Sequence, residues 1–254
     1  MFKEENQIWL YLIGILIFFG VLIALSANVL VPIVQSGNIG LLFQSQKFSR
    51  RPTYTLKDNL DYFAEVKTNK GSFTINLSPK TAPQNVNNFV YLAQNGYYTD
   101  TKFHRIVPGL LFQGGDRNTL NSDPNDDGKG RPGYLIEDES NWDALDLSKD
   151  QRTRLTGLGY SSKPNLETTK FQKYSVAMAN GGPSTNGSQF FIITAESDDS
   201  RLSSLDGQYT IIGKVISGTD VVDAIGKSNV NNPTSNTPTP VEPIIFQSIN
   251  VYTR

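Results

Sequence analysis

Hydrophobic and polar positions divide the chain into three regimes. From Ile8 to Leu25 the sequence reads IWLYLIGILIFFGVLIAL, apolar on every side, and no charged residue occurs between Glu5 and Lys47. These residues, rising about 1.5 Å each, cover about 27 Å, and continuing to Val31 passes about 30 Å, so 8–31 predicts a transmembrane helix behind a short flank, 1–7. A buried core helix is seldom apolar all round for so long. A cleavable signal peptide is the alternative, because Ala24-Leu25-Ser26 offers small residues at a cleavage-like spacing. Residues 32–58 carry Ser, Gln and Asn with no sustained period and read as a juxtamembrane linker. Lys3 stands on one side of the span and Lys47, Arg50 and Arg51 lie past the other. Long domains cross largely regardless of charge, so the expectation is a single-pass anchor with the globular part, 59–254, outside the cytoplasm.

In that globular part the period changes. Tyr62 to Thr68 and Ser72 to Leu77 alternate around a turn at Asn69-Lys70-Gly71, a hairpin signal. Further strand-like runs are Phe103–Ile106, Leu111–Gln113, Ser175–Ala179, Phe190–Thr194, Thr210–Val215 and Ile244–Val251. Two stretches follow the helical period instead. One starts at Thr81-Ala82-Pro83 and shows Val86, Phe89, Val90 and Leu92-Ala93 before Gly96 stops it; the other runs from Thr219 to Ile225. Many short strands with two helices predict a mainly β domain: a closed eight-stranded antiparallel barrel capped by two α-helices and preceded by the transmembrane helix. Residues 118–131 and 141–172 look like insertions. In the second, Ser148 with Gln151 resembles a capping box and Gly157 a stop, which predicts a short helix. Residues 231–243, rich in Pro, Thr and Asn, read as an extended loop.

Charge and composition mainly exclude. A formal net charge of -1 and no basic stripe with interleaved aromatics argue against nucleic acid as a partner. With no cysteine and one histidine, His104, disulfides, thiolate chemistry and His-based zinc clusters are ruled out, and with them a metal-dependent hydrolase. Gly182 to Gln189 imitates a phosphate loop but lacks its lysine. Asp123 to Gly128 matches the start of a calcium loop, yet its twelfth position is Tyr134 rather than a bidentate glutamate.

Two segments carry the chemistry. Phe103-His104-Arg105-Ile106-Val107-Pro108-Gly109-Leu110-Leu111-Phe112-Gln113-Gly114-Gly115-Asp116 puts a guanidinium and an amide beside an apolar surface. Ala177-Met178-Ala179-Asn180-Gly181-Gly182-Pro183-Ser184-Thr185-Asn186-Gly187-Ser188-Gln189-Phe190-Phe191-Ile192 delivers an aromatic strand through a tight loop. Together they resemble the cyclophilin family of peptidyl-prolyl isomerases over residues 62–252. The resemblance implies the same barrel, action on X-Pro bonds in protein chains without metal or organic cofactor, and proline-containing polypeptide segments as partners. It also implies Arg105 as the catalytic arginine and Gln113 as the residue orienting it or the substrate carbonyl. Leu110, Leu111, Phe191 and Leu205 would surround the proline ring, and Ala179 and Asn180 would hold the peptide backbone. Gln189 and Tyr209 would complete the binding set.

The residue types suit that chemistry. Rotating an X-Pro amide breaks resonance over a barrier of about 18–20 kcal/mol, and at the twisted midpoint the nitrogen regains a lone pair. A fixed guanidinium aimed at it stabilises the midpoint over either planar isomer. No proton moves in such a step, so His104 reads as a packed structural histidine rather than a general base. Two departures stand out. Ser204 occupies the position where many relatives carry Trp, which argues against tight cyclosporin binding, and Leu110 stands where an aromatic is frequent. These departures and the 141–172 insertion keep open a weakly active or inactive binding module that serves as scaffold for a membrane complex.

Overall fold

Strand β1 (Tyr62–Thr68) buries every second side chain, and β2 (Gly71–Leu77) buries Phe73, Ile75 and Leu77 on the same side. A sheet with one continuous apolar face must cover it, and here the covering surface is the sheet itself, curled shut. The structure, a computed structural model, describes residues 48–254, and all elements below belong to the unit Arg50–Arg254. The remaining barrel strands are β3 (Lys102–Val107), β4 (Leu111–Asp116), β5 (Ser175–Met178), β6 (Phe190–Ile193), β7 (Ile211–Ser217) and β10 (Ile244–Thr253). All pair antiparallel in the closed order β1-β10-β3-β4-β6-β5-β7-β2. Side chains alone fill such an interior: Phe103 meets Phe112 edge to face at 4.8 Å and Phe246 at 4.2 Å, while Phe190 lies 5.8 Å from Phe246.

Helix α1 (Pro83–Gln94) begins with Pro83 and ends before Gly96, which takes φ +71°. Its N-cap, Ala82, carries only a methyl and makes no side-chain cap. The cap comes from far along the chain instead: the Glu139 carboxylate accepts from Gln84 N at 3.0 Å and Asn85 N at 2.9 Å. Phe89 on its buried face meets Tyr98 and Phe190, each at 5.4 Å, sealing that part of the barrel.

The second helix, α2 (Lys149–Gly157), sits where the capping box predicts one. Gln151 N donates to Ser148 Oγ, and Ser148 N donates to Gln151 Oε1 at 2.8 Å. Helix α3 (Thr219–Gly226) packs on the β1–β2 hairpin. Gly71 turns that hairpin at φ +128°, where a Cβ would come 2.8 Å from Val221 Cγ2, so the close approach requires glycine.

Two parts differ from the sequence expectation. Residues 231–243 are not simply an extended loop: β8 (Val230–Asn231) and β9 (Thr239–Pro240) form a two-residue ladder that returns the chain to β3, where Ile106 N donates to Pro238 O at 2.9 Å. Residues 51–57, which composition assigns to the linker, are tied to the barrel. Arg51 meets the Glu137 carboxylate at 2.9 Å, Thr55 N donates to Asn87 Oδ1 at 2.9 Å, and Lys57 N donates to the Tyr62 hydroxyl at 2.8 Å. The 8–31 stretch lies outside the described residues. Among the described residues no helix is long and apolar enough to cross a membrane.

Candidate active site

Strands β5 and β6 bury every residue, because loops cover their outer face as the core covers their inner one. The site lies on that outer face. Successive register pairs carry one row across the sheet: Arg105 opposite Gln113, Gln113 opposite Phe191, Phe191 opposite Ala177 and Ala177 opposite Ile211. Residues directly opposite share a face. The row therefore sets a guanidinium, an amide and a phenyl ring side by side.

Each polar member is held. Arg105 Nη1 donates to Gln113 Oε1 at 3.1 Å, and Arg105 Nε donates to Asn236 O at 3.0 Å. Two bonds to different segments fix the plane of a group that otherwise rotates freely. Burial pushes its pKa below the usual arginine value, opposed by the nearby Tyr209, and the group stays a cation. Gln113 Nε2 donates to Gln189 Oε1 at 2.9 Å, and Gln189 Nε2 donates to Gly128 O at 2.9 Å and Gly130 O at 2.8 Å. The Gln189 amide is thus fully engaged inside the protein, so it sets the position of Gln113. Asp116 ties the same turn, accepting from Gly130 N at 3.0 Å.

The apolar side is equally built. Phe191, Leu111, Ile193, Ala177 and Ile211 form one cluster, with Leu110, Ala179, Leu205 and Tyr209 partly buried against it. Phe191 meets Tyr209 edge to face at 5.3 Å and is backed by Phe171, stacked at 5.9 Å. Arg105, Gln113 and Phe191 therefore lie in one row, and Leu110, Leu111, Leu205 and Tyr209 belong to the same apolar cluster as Phe191. Ala179 and Asn180 follow the last paired residue of β5 and border a cavity of about 250 Å³ shared with Gln113, Gly128, Lys129 and Arg131. Asn180 Nδ2 donates to Gln208 O at 3.1 Å. His104 is buried, neither ring nitrogen makes a well-formed hydrogen bond, and burial pushes its pKa down.

The family of cyclophilin type peptidyl-prolyl cis-trans isomerases matches residues 63–251. The chain belongs to this family. This cyclophilin is similar to peptidyl-prolyl cis-trans isomerase B of Streptomyces anulatus, at 35% identity over 209 residues covering 76% of this chain and 97% of the relative. It is also similar to the peptidyl-prolyl cis-trans isomerase of Helicobacter pylori, at 32% identity over 201 residues covering 77% and 95%. Among solved structures, a cyclophilin type peptidyl-prolyl cis-trans isomerase of Cryptosporidium parvum superposes with a TM-score of 0.55 at 27% identity, covering 76% of this chain and 99% of that one. The same parasite protein has also been crystallised in the presence of the dipeptide Ala-Pro. This cyclophilin is an enzyme of the peptidyl-prolyl cis-trans isomerase class.

Sequence reasoning missed three contributors. Phe171 sits at the end of an insertion with no periodic signal. The Asn236 carbonyl reaches Arg105 from a loop 131 positions away. The carbonyls of Gly128 and Gly130 belong to a turn whose composition suggested only a calcium decoy. None carries a side-chain type that announces its use.

Proposed function

We propose that this cyclophilin isomerises X-Pro bonds in protein clients as a folding helper held at a membrane by residues 8–31, with its barrel outside the cytoplasm. The observation that carries the catalytic part is the Arg105–Gln113–Phe191 row, with a doubly anchored guanidinium next to an apolar floor. A client proline packs on Phe191 between Leu111, Leu110, Leu205 and Tyr209, while Ala179 and Asn180 hold the neighbouring backbone. As the amide twists, its nitrogen becomes pyramidal and gains a lone pair, and a free Arg105 N–H donates to it. The twisted amide also loses part of its dipole, so the apolar floor favours it over either planar isomer.

Arg105 does not suffice alone. Bringing tens of seconds down to about a millisecond takes roughly 10⁴-fold, near 5.5 kcal/mol, whereas one well-placed donor supplies about 2.7–4 kcal/mol. Dewetting and orientation on the apolar Phe191 floor supply the rest. Replacing Arg105 by Ala should leave the fold intact and slow exchange by about two orders of magnitude, read by protease-free NMR on a proline peptide. Equal rates for the two proteins would leave the binding-module reading in its place. Protease protection in intact cells tests the anchor and its sidedness: a domain digested only after the membrane is breached from outside would contradict the proposed orientation.

A further inference from the structure

We infer that the 141–172 insertion is a working wall of the peptide groove, with Tyr160 as a positioning residue for Asn180; this rests on the reading of Asn180 as a peptide-holding residue. The insertion has a small core of its own, with Trp142, Leu145, Leu147, Leu155 and Tyr160 all buried. After α2 the chain reverses at Gly159, φ +89°, and Tyr160 N donates back to Leu155 O at 3.0 Å. That reversal aims the Tyr160 hydroxyl out of the small core and onto Asn180 Oδ1, at 3.2 Å.

The Asn180 amide is thereby gripped from both ends. Its oxygen accepts from the insertion, and its nitrogen donates to Gln208 O and, at 3.4 Å, to Asp138 Oδ1. Two further contacts tie the insertion to the groove. A Cβ on Gly159 would lie 3.3 Å from Pro183 Cγ, so the turn after α2 packs on the turn after Asn180. Trp142 Nε1 donates to Gly207 O at 3.3 Å, and a Cβ on Gly207 would come 2.7 Å from Leu155 and 2.8 Å from Leu147. The loop carrying Leu205 and Tyr209 is thus seated in the insertion's own core. One segment braces both walls between which a peptide would lie.

Such bracing holds the groove in its binding form before substrate arrives, which lowers the cost of binding without touching the rotating bond. Its loss should appear in KM and leave kcat alone. The test uses the full chain and a pentapeptide with one central Ala-Pro bond, followed by NMR exchange across a peptide titration. Tyr160→Phe removes the hydroxyl and keeps the ring, and should raise KM about 3- to 10-fold at unchanged kcat, the effect of one neutral hydrogen bond. In an Asn180→Ala background the same substitution should change nothing further. An unchanged KM, a fall in kcat alone, or an equal effect in both backgrounds overturns the inference. Should wild type speed no exchange at all, the isomerase reading fails, while the peptide Kd from the same titration still decides whether Tyr160 acts on binding through Asn180.

Discussion

Gln113 accepts the Arg105 Nη1 hydrogen bond at 3.1 Å from the residue directly opposite it in the β3–β4 register, so the strand pairing itself sets the geometry of the pair. The glutamine is in turn held by Gln189, whose amide is anchored on the carbonyls of Gly128 and Gly130. A donor bound to nothing would sample many directions. One held by a chain of four groups samples few, and preorganisation of this kind is what makes a hydrogen bond catalytic rather than merely present.

Gln113→Leu should therefore slow isomerisation while Arg105 remains in place. A hydrogen bond to a charged group contributes roughly 1.5–3 kcal/mol, and partial exposure of this pair discounts it toward the lower end, about tenfold in kcat/KM. NMR exchange on the same peptide measures it. An unaltered rate would mean that the Asn236 carbonyl alone orients the guanidinium.

Arg105→Lys keeps the charge and loses the fork. An ammonium is one compact donor on a flexible stem, and it cannot satisfy Gln113 and Asn236 while also reaching a prolyl nitrogen. Exchange should fall nearly as far as in the alanine variant, by about two orders of magnitude. A lysine variant close to wild type would show that charge, not direction, lowers the barrier.

How legible this was in the sequence differs by element. Strands β1 and β2 were plain because one face is wet, so polar and apolar residues alternate. Strand β6, and β5 after Ser175, read as continuous apolar runs for the opposite reason, both faces being covered. Helix α2 followed from its capping box although the helix buries only Leu155. What could not be read is what depends on backbone atoms meeting at long range. Carbonyl oxygens of Asn236, Gly128 and Gly130 do their work independently of side-chain identity. Glu139 caps α1 from 54 positions away, and no local pattern records that. The β8–β9 ladder was hidden by Pro240, a residue that demotes a strand in sequence yet is tolerated in an isolated two-stranded edge.

Gly71→Ala tests the hairpin without approaching the cleft. At φ +128° an alanine is strained whatever its surroundings, and its methyl would run into Val221 on α3. Urea denaturation should give a loss of about 1–3 kcal/mol. The exchange rate per folded molecule should stay at the wild-type value; a fall in that rate would reveal coupling between hairpin and cleft that no contact described above accounts for.

His104 sets a pH dependence of stability that catalysis should not share. Burial holds its folded pKa below the ordinary 6.5, with Asp116 pulling it up and Arg105 pushing it further down. The unfolded chain, whose imidazole keeps its ordinary pKa, binds the proton first as pH falls. Stability is therefore fully present above 6.5 and is lost as pH drops toward the folded pKa. Comparing urea midpoints of wild type and His104→Leu between about pH 7.5 and pH 5 isolates this from the carboxylates, which both proteins share. Wild type should lose ground to the variant on acidification. Over the same range its exchange rate per folded molecule should stay flat, because turning an amide about its C–N bond transfers no proton. A rate that titrates along with stability would implicate the imidazole in the isomerisation step and overturn its assignment as a packed side chain.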